Sequence, residues 1–235
     1  MLLASAALAI SPEALSTRLA EVAELRARRL GTEAPSIPAD AYAKVAAGEV
    51  VTGLEDADGT KARKIWGVGI VEVPVDRFFS AINDERNKPA YSKLAHSLVL
   101  DGDYCAPERV VFQFMPVPLL TDRWWVIQQR INTAVQDASG GRVRELAWRP
   151  PPAPEPALSP EAVGISVQGM RVTHTYGGWF LVDLDGTSTL VEFWSWSDPG
   201  GNVPVRMASS LAAGSIGETF TSMGELARKG PDCAL

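Results

Sequence analysis

Apolar positions recur at helical spacing near both ends of this chain and at strand spacing between them. Ser11-Pro12-Glu13 supplies a helix N-cap with proline at the first helical position. Leu15, Leu19, Val22, Leu25 and Leu30 follow at near-helical intervals, and Gly31 ends the run, which predicts one amphipathic helix. Residues 32–38 form a polar, proline-bearing connection. Residues 42–54 and 62–73 are rich in β-formers and flank Glu55-Asp56-Ala57-Asp58-Gly59, so they predict a hairpin. Pro74 closes it. Val75, Phe78, Phe79 and Ile82 predict a short helix, and Tyr91, Leu94 and Ala95 predict a second one after Pro89.

A meander follows, with strands expected at 97–101, 109–115, 124–133, 143–148, 170–184 and 190–197, the long fifth one liable to bend at Gly177-Gly178. Two inserts interrupt it. Pro116 and Pro118 exclude a central strand, and the six prolines of 149–160 predict an extended surface loop. The last strand stops at Asp198-Pro199-Gly200-Gly201-Asn202-Val203-Pro204. Paired glycines reverse the chain at little steric cost, and Pro204 suits the first turn of a helix. From 203 to 228, Ala208, Leu211, Ala212, Ile216, Phe220 and Met223 are read as one apolar stripe. The prediction is an α+β fold in which a curved antiparallel sheet wraps a long C-terminal helix. Residues 1–38 form an apolar segment plus amphipathic helix, and 39–230 form the main domain.

The chain has 235 residues, 46% of them hydrophobic, and a net charge of −6. Nucleic-acid binding is excluded, because phosphate recognition needs clustered Lys and Arg; Arg26, Arg28 and Arg29 read as a solvated helix face. The start, Met1-Leu2-Leu3-Ala4-Ser5-Ala6-Ala7-Leu8-Ala9, is either the remnant of an export signal cut after Ala9 or an apolar cap on the first helix. Export and a cytoplasmic location both stay open. With only Cys105 and Cys233, free thiols are the expectation, and a bridge between turn and tail is the alternative.

Four stretches in this order resemble the START (StAR-related lipid transfer) domain of the helix-grip, or SRPBCC, superfamily, of bacterial type. They are Pro74-Val75-Asp76-Arg77-Phe78-Phe79, Leu120-Thr121-Asp122-Arg123-Trp124-Trp125-Val126, the joint at 198–204, and the helix after it. The similarity spans roughly residues 42–229. It implies a sheet gripping a helix around an internal cavity for a lipid or other apolar small molecule. No cofactor is expected, and transient membrane contact is a further expectation. The chain departs from that family in its extra N-terminal helix, its apolar start and its proline-rich insert. The helix would pack outside the sheet or mediate self-association, and the insert would shape a cavity mouth or lie on the surface.

Within such a fold, alternate strand residues line the cavity. The candidate ligand contacts are Phe112, Phe114, Arg123, Trp125, Ile127, Trp179, Leu181 and Phe193 from the strands. Leu211, Ile216, Phe220 and Met223 are added from the helix. The polar set Gln128, Arg130 and Asn132 is expected to face water, leaving Trp125 and Ile127 inward. Solid packing of these side chains as a core is an equal reading for any one of them. Arg123 is the candidate for orienting a ligand head, against a strand-end arginine paired to Asp122 or Glu108. Gly200 and Gly201 are the candidate hinge.

Catalysis finds little support. His96 and His174 are the only histidines, neither with a metal-ligand neighbour, and no nucleophile elbow, phosphate loop or Cys-x-x-Cys is present. The leading expectation is a non-catalytic lipid-binding or lipid-transfer protein. An enzyme of the same superfamily, such as a polyketide cyclase, aromatase or small-molecule hydrolase using His96 and Arg123, is the rival, and a cavity-free interaction module is the third reading. Ligand identity and oligomeric state are left open.

Overall fold

The computed structural model describes residues 10–57, 62–201, 203 and 205–235, and for 205–207 the backbone alone. The signal-like residues 1–9, the turn residues Asp58 and Gly59, and Asn202 and Pro204 of the joint lie outside the described residues.

Three helices come first: α1 (Pro12–Glu21), α2 (Ala23–Arg26) and α3 (Ala39–Ala46). The hairpin β1 (Val51–Glu55) and β2 (Lys64–Val71) leads to α4 (Val75–Asn83) and a 3-10 turn at Lys88–Tyr91. Then come β3 (His96–Asp101), β4 (Glu108–Met115), β5 (Asp122–Ile131), α5 (Thr133–Ala138), β6 (Val143–Arg149) and α6 (Pro160–Ser166). β7 (Gly169–Arg171), β8 (Thr175–Asp183), β9 (Thr189–Ser197), α7 (Val205–Gly214) and α8 (Ile216–Lys229) complete the chain. The strands form one sheet in the order β1-β2-β9-β8-β6-β5-β4-β3, with β7 on β5. Every pairing is antiparallel except β5–β7. This is the expected α+β helix-grip arrangement.

Local chemistry explains where the elements differ from expectation. The predicted first strand is α3 followed by β1, because Ala39–Ala46 is alanine-rich and buries Ala41 and Val45 on one face. The first helix is capped by Ser11, whose side chain accepts from Ala14 N, but it breaks at Val22 and ends by Arg26. The expected strand 170–184 is two: β8 runs straight through Gly177-Gly178, and the interruption falls between Arg171 and Thr175 instead. The C-terminal helix is also two, separated at Ser215.

Period-two alternation gives the sheet two apolar faces, and both are covered. On the outer face, α1 and α3 pack with Trp66, Val68, Phe180, Val182, Leu190 and Trp194. The extra N-terminal helix therefore packs outside the sheet. Two carboxylates on that face hold it down. Glu192, 3% exposed, pairs with Arg26 and Arg29 and accepts from Tyr42 Oη at 2.9 Å. Burial and the Glu192 charge push the Tyr42 pKa up. Glu145 accepts from the backbone N–H of Leu30 and Gly31 at 2.9 and 3.0 Å. Further along, α6 covers Val110, Phe112, Phe114 and Val126, with Leu158 of the proline-rich insert packed beside it. The insert thus belongs to the outer surface.

On the inner face, α4 and α8 pack over Val71, Leu146, Trp179, Leu181 and Val191. The approach of α8 is unusually close, because a Cβ on Gly67 would stand 2.5 Å from Ile216 Cγ2. The exit of α4 is tied into a buried polar layer: Glu85, 1% exposed, accepts from Ser97 Oγ, from Lys88 Nζ at 2.5 Å and from Arg109 Nη2 at 3.3 Å. Burial alone would raise the Glu85 pKa, but Lys88 and Arg109 hold it below the ordinary value.

Cys105 and Cys233 form a disulfide, contrary to the expectation of free thiols. Spacing alone could not reveal this, since the two cysteines stand 128 positions apart and are brought together only by the sheet and α8. The tail it secures also bonds through Asp232 N to Asp84 Oδ2 at 2.8 Å.

Two outcomes are expected. Reducing the bridge lowers the unfolding free energy by about 2–5 kcal/mol, measurable by urea titration with and without reductant. Glu85→Gln costs about 3 kcal/mol at neutral pH by leaving Arg109 buried without its anion. Because the Glu85 pKa is depressed in the folded state, its contribution is complete above the ordinary carboxyl pKa and vanishes as pH falls through the folded one. The stability gap between wild type and variant therefore closes in acid, and a gap that stays constant with pH contradicts the assignment.

Candidate functional site

The inner face is solid under α8 and hollow under α7. Alternation places Ile65 and Gly67 of β2, Phe193, Ser195 and Ser197 of β9, and Thr175 and Trp179 of β8 on it, in matched register. Across the sheet, β4 and β5 contribute the facing pairs Met115–Arg123, Gln113–Trp125 and Val111–Ile127. Ile216, Phe220 and Met223 of α8 fill the space over the lower part of these rows. α7 presents Ala208, Ser209 and Ala212 instead, and these small side chains leave a cavity of about 320 Å³.

Its wall comprises Ile65, Met115, Trp125, Trp148, Val172 and Phe193, with Arg63, Gln113, Arg123, Thr175, Ser195, Ser197 and Pro199, closed by α7. Trp125, Trp148 and Phe193 point inward yet are only half-buried, because the cavity itself exposes them. The Trp125 indole N–H donates to Gln113 Oε1 at 2.9 Å, and Gln113 Nε2 donates to Glu85 Oε2 at 3.3 Å. The middle of the wall is thus braced by the buried polar layer below it. Ser197 Oγ lies 2.8 Å from Thr175 Oγ1 and 3.3 Å from Ser195 Oγ, a row of three hydroxyls beside the joint.

The joint has a defined geometry. Asp198 Oδ1 accepts from Gly200 N at 2.9 Å, and Asp198 N donates to His174 O. Gly200 and Gly201 both have φ of 66°, a region that glycine enters freely and other L-residues only under strain. Arg123 grips this turn. Its Nε donates to Pro199 O at 2.6 Å and Nη2 to Gly200 O at 3.4 Å, while Nη1 donates to Thr121 O and Asp122 O. Neither Asp122 nor Glu108 provides a carboxylate for it; Glu108 pairs with Arg130.

Of the sequence-derived candidates, Arg123, Trp125 and Phe193 come together on the cavity wall. Trp179, Leu181, Ile216, Phe220 and Met223 face inward but form the packed floor, with the Trp179 ring 4.6 Å from Phe193 and 5.9 Å from Phe220 between centroids. Ile127 is buried one row below Trp125. Three placements need correction. Phe112 and Phe114 lie on the outer face under α6, since β4 turns its polar row, Arg109 and Gln113, inward. Leu211 is 69% exposed: within α7 it stands about 100° around the helix from Ala212 and about 160° from Ser209, on the side away from the cavity. Gln128 and Asn132, expected in water, are buried, because residues 28–33 cover that part of the outer face.

The residues missed were Gln113, Thr175, Ser195, Ser197 and Trp148. Ser195 and Ser197 follow Phe193 at strand spacing and share its face, so the signal was there. Nothing local marked Gln113, whose inward direction depends on α6 claiming the phenylalanines. Both histidines sit on the outer face, His96 against Phe114 and His174 between Tyr176 and Trp196. A second hollow of about 540 Å³ opens between the N-terminal segment and β9, but its arginines, Arg26 and Arg29, are committed to Glu192. Among the described residues no cluster of His, Cys, Asp and Glu could hold a metal, and no helix is long and apolar enough to cross a membrane.

No family model matches the sequence, and no curated protein does. Solved structures do match in fold. Human STARD10 aligns with a TM-score of 0.62 at 12% identity, covering 77% of this chain and 69% of that one. A STAR-related lipid transfer protein from Xanthomonas axonopodis aligns with a TM-score of 0.60 at 17% identity, covering 76% and 93%. Human StAR-related lipid transfer protein 5 gives 0.59 at 13% identity, covering 92% and 97%. With its sheet gripping α8 and its cavity under α7, this chain has a START-like helix-grip fold.

Proposed function

We propose that this protein binds and carries an apolar or amphipathic small molecule in the cavity beneath α7, without making or breaking a bond. The observation that carries this reading is the wall itself: Trp125, Trp148, Phe193 and Ile65 surround about 320 Å³ that the chain leaves unfilled. Such a volume falls within the range of ligand sites, and desolvating an apolar guest there contributes about 25 cal/mol per Å² buried, before association costs. Lipid transfer proteins share the fold, which supports a lipid-like guest.

The enzyme reading has less to draw on. The cavity wall contains no His, Cys, Asp or Glu among the described residues, so its serine and threonine hydroxyls lack a general base. His96, the expected acid or base, lies on the opposite face, and Arg123 holds backbone carbonyls. Leu119 and Leu120, fully and half exposed on the turn between β4 and β5, border the Met115–Arg123 end of the cavity and suit transient contact with a neutral membrane surface. The disulfide favours an oxidising, exported setting over the cytoplasm.

Exchange of the guest requires α7 to lift while α8, sealed to β2 and tied by its tail, stays in place. Gly200 and Gly201 are the hinge on one side and Ser215 the break on the other.

Native mass spectrometry of the purified protein is expected to show a bound small molecule recoverable by solvent extraction, and Ser195→Trp, which fills the cavity, to lose it. A variant that retains the same molecule at the same occupancy defeats the assignment of the site. Gly200→Ala/Gly201→Ala strains the closed joint by about 1–2 kcal/mol per residue. It should speed ligand exchange several-fold in stopped-flow measurements, and an unchanged rate rules the hinge out.

A further inference from the structure

The polar groups of the cavity are gathered at one end and carry one sign of charge. Arg63 directly precedes Lys64, which pairs with Trp196, so Arg63 stands beside Ser197 at the joint end of β9. Thr175 pairs with Ser197 there, and Arg123 reaches the same turn from β5. Toward the floor the wall becomes Ile65, Trp125, Trp148 and Phe193. A hydroxyl-and-arginine mouth above an aromatic interior is an amphipathic gradient.

Counting donors shows what the mouth lacks. Three hydroxyls share two mutual hydrogen bonds, leaving one O–H to point elsewhere. Four of the five N–H groups of Arg123 go to carbonyl oxygens, leaving one Nη2–H. Arg123 is 5% exposed, and among the described residues its charge is met by carbonyl dipoles. Arg63 Nε lies 2.7 Å from Asp56 Oδ1 without the alignment of a hydrogen bond, and that carboxylate is 74% exposed and outside the wall. The contact uses Nε on a side chain that is 26% exposed, its carboxylate partner is open to water, and the two terminal nitrogens of Arg63 are left for a second acceptor. The mouth therefore offers two guanidinium groups and spare donors, with no acid on the wall, in a protein whose net charge is −6.

We infer that the ligand is an amphiphile with a single apolar body and an oxyanion head, a carboxylate or phosphate monoester, seated with its head between Arg63, Arg123 and the Ser195–Ser197–Thr175 row. This rests on the proposed binding function and names its ligand class. The volume sets the body: about 320 Å³ stands at the low end of ligand sites, which span about 300–1,000 Å³, and suits one chain or a compact ring system over a two-chain lipid. The charges set the head, since a charge-assisted hydrogen bond is about twice as strong as a neutral one.

The test compares dodecanoate, dodecyl phosphate and dodecanol, which share one chain and differ in the head, by isothermal titration below their micelle concentrations. Wild type is expected to bind at least one oxyanion about tenfold more tightly than the alcohol, with the better of the two identifying the head. Arg63→Met should shrink that preference about fivefold while Arg63→Lys keeps most of it, each variant first checked for an unchanged thermal unfolding profile. An alcohol that binds as well as both oxyanions, or a preference untouched in Arg63→Met, overturns the head assignment alone. Absence of binding for all three, with no co-purified guest, overturns the carrier function as well.

Discussion

Ile216 pressed against the bare backbone of Gly67 sets the height at which the C-terminal helix crosses the sheet. Where that contact holds, Phe220 and Met223 reach Trp179 and the interior is solid. Directly before Ile216 the helix breaks at Ser215, and in α7 the side chains facing the sheet shrink to Ala208, Ser209 and Ala212. Both helices cross the same continuous sheet. A tightly seated α8 therefore requires an under-filled α7, and the cavity is the remainder between them.

The same sheet is held by charge on both faces in different ways. Outside, Glu192 and Glu145 convert a loose N-terminal segment into a cover by binding its arginines and its backbone N–H groups. Inside, Glu85 collects Lys88, Arg109, Ser97 and Gln113 into a layer that aims the Gln113 carbonyl at the Trp125 indole. Isolated carboxylates in these positions would be costly, and each has several donors. One layer fixes the domain's cover and the other fixes a wall of its binding site.

The architecture was largely legible in the sequence, because strand alternation and the Asp198–Gly201 turn are local signals. The cavity wall was legible in part. Trp125 and Phe193 followed from alternation, but choosing the inward face of β4 did not: Phe112 and Phe114 looked like lining until α6, hidden behind a proline-rich insert, claimed them. Leu211 failed because a single helix was drawn through Ser215 with an uneven stripe. α3 was taken for a strand because its alanines and Val45 satisfy either period over so short a run. Partnerships between distant residues, such as Cys105 with Cys233 or Arg123 with the Pro199 carbonyl, leave no periodic trace.

The disulfide also gives the molecule a covalent topology. Residues 105–233 form a closed ring that contains β4 to α8, and with them most of the cavity wall and its α7 cover. Everything before it, including β2 and the N-terminal cover, is a branch leaving that ring at Cys105. The proline-rich loop at 150–159 is an arc of the ring, so one protease cut there yields a nicked but still singly connected molecule. Both flanks of the cut remain in the sheet, and the branch that carries Arg63 stays attached to the ring that carries Arg123.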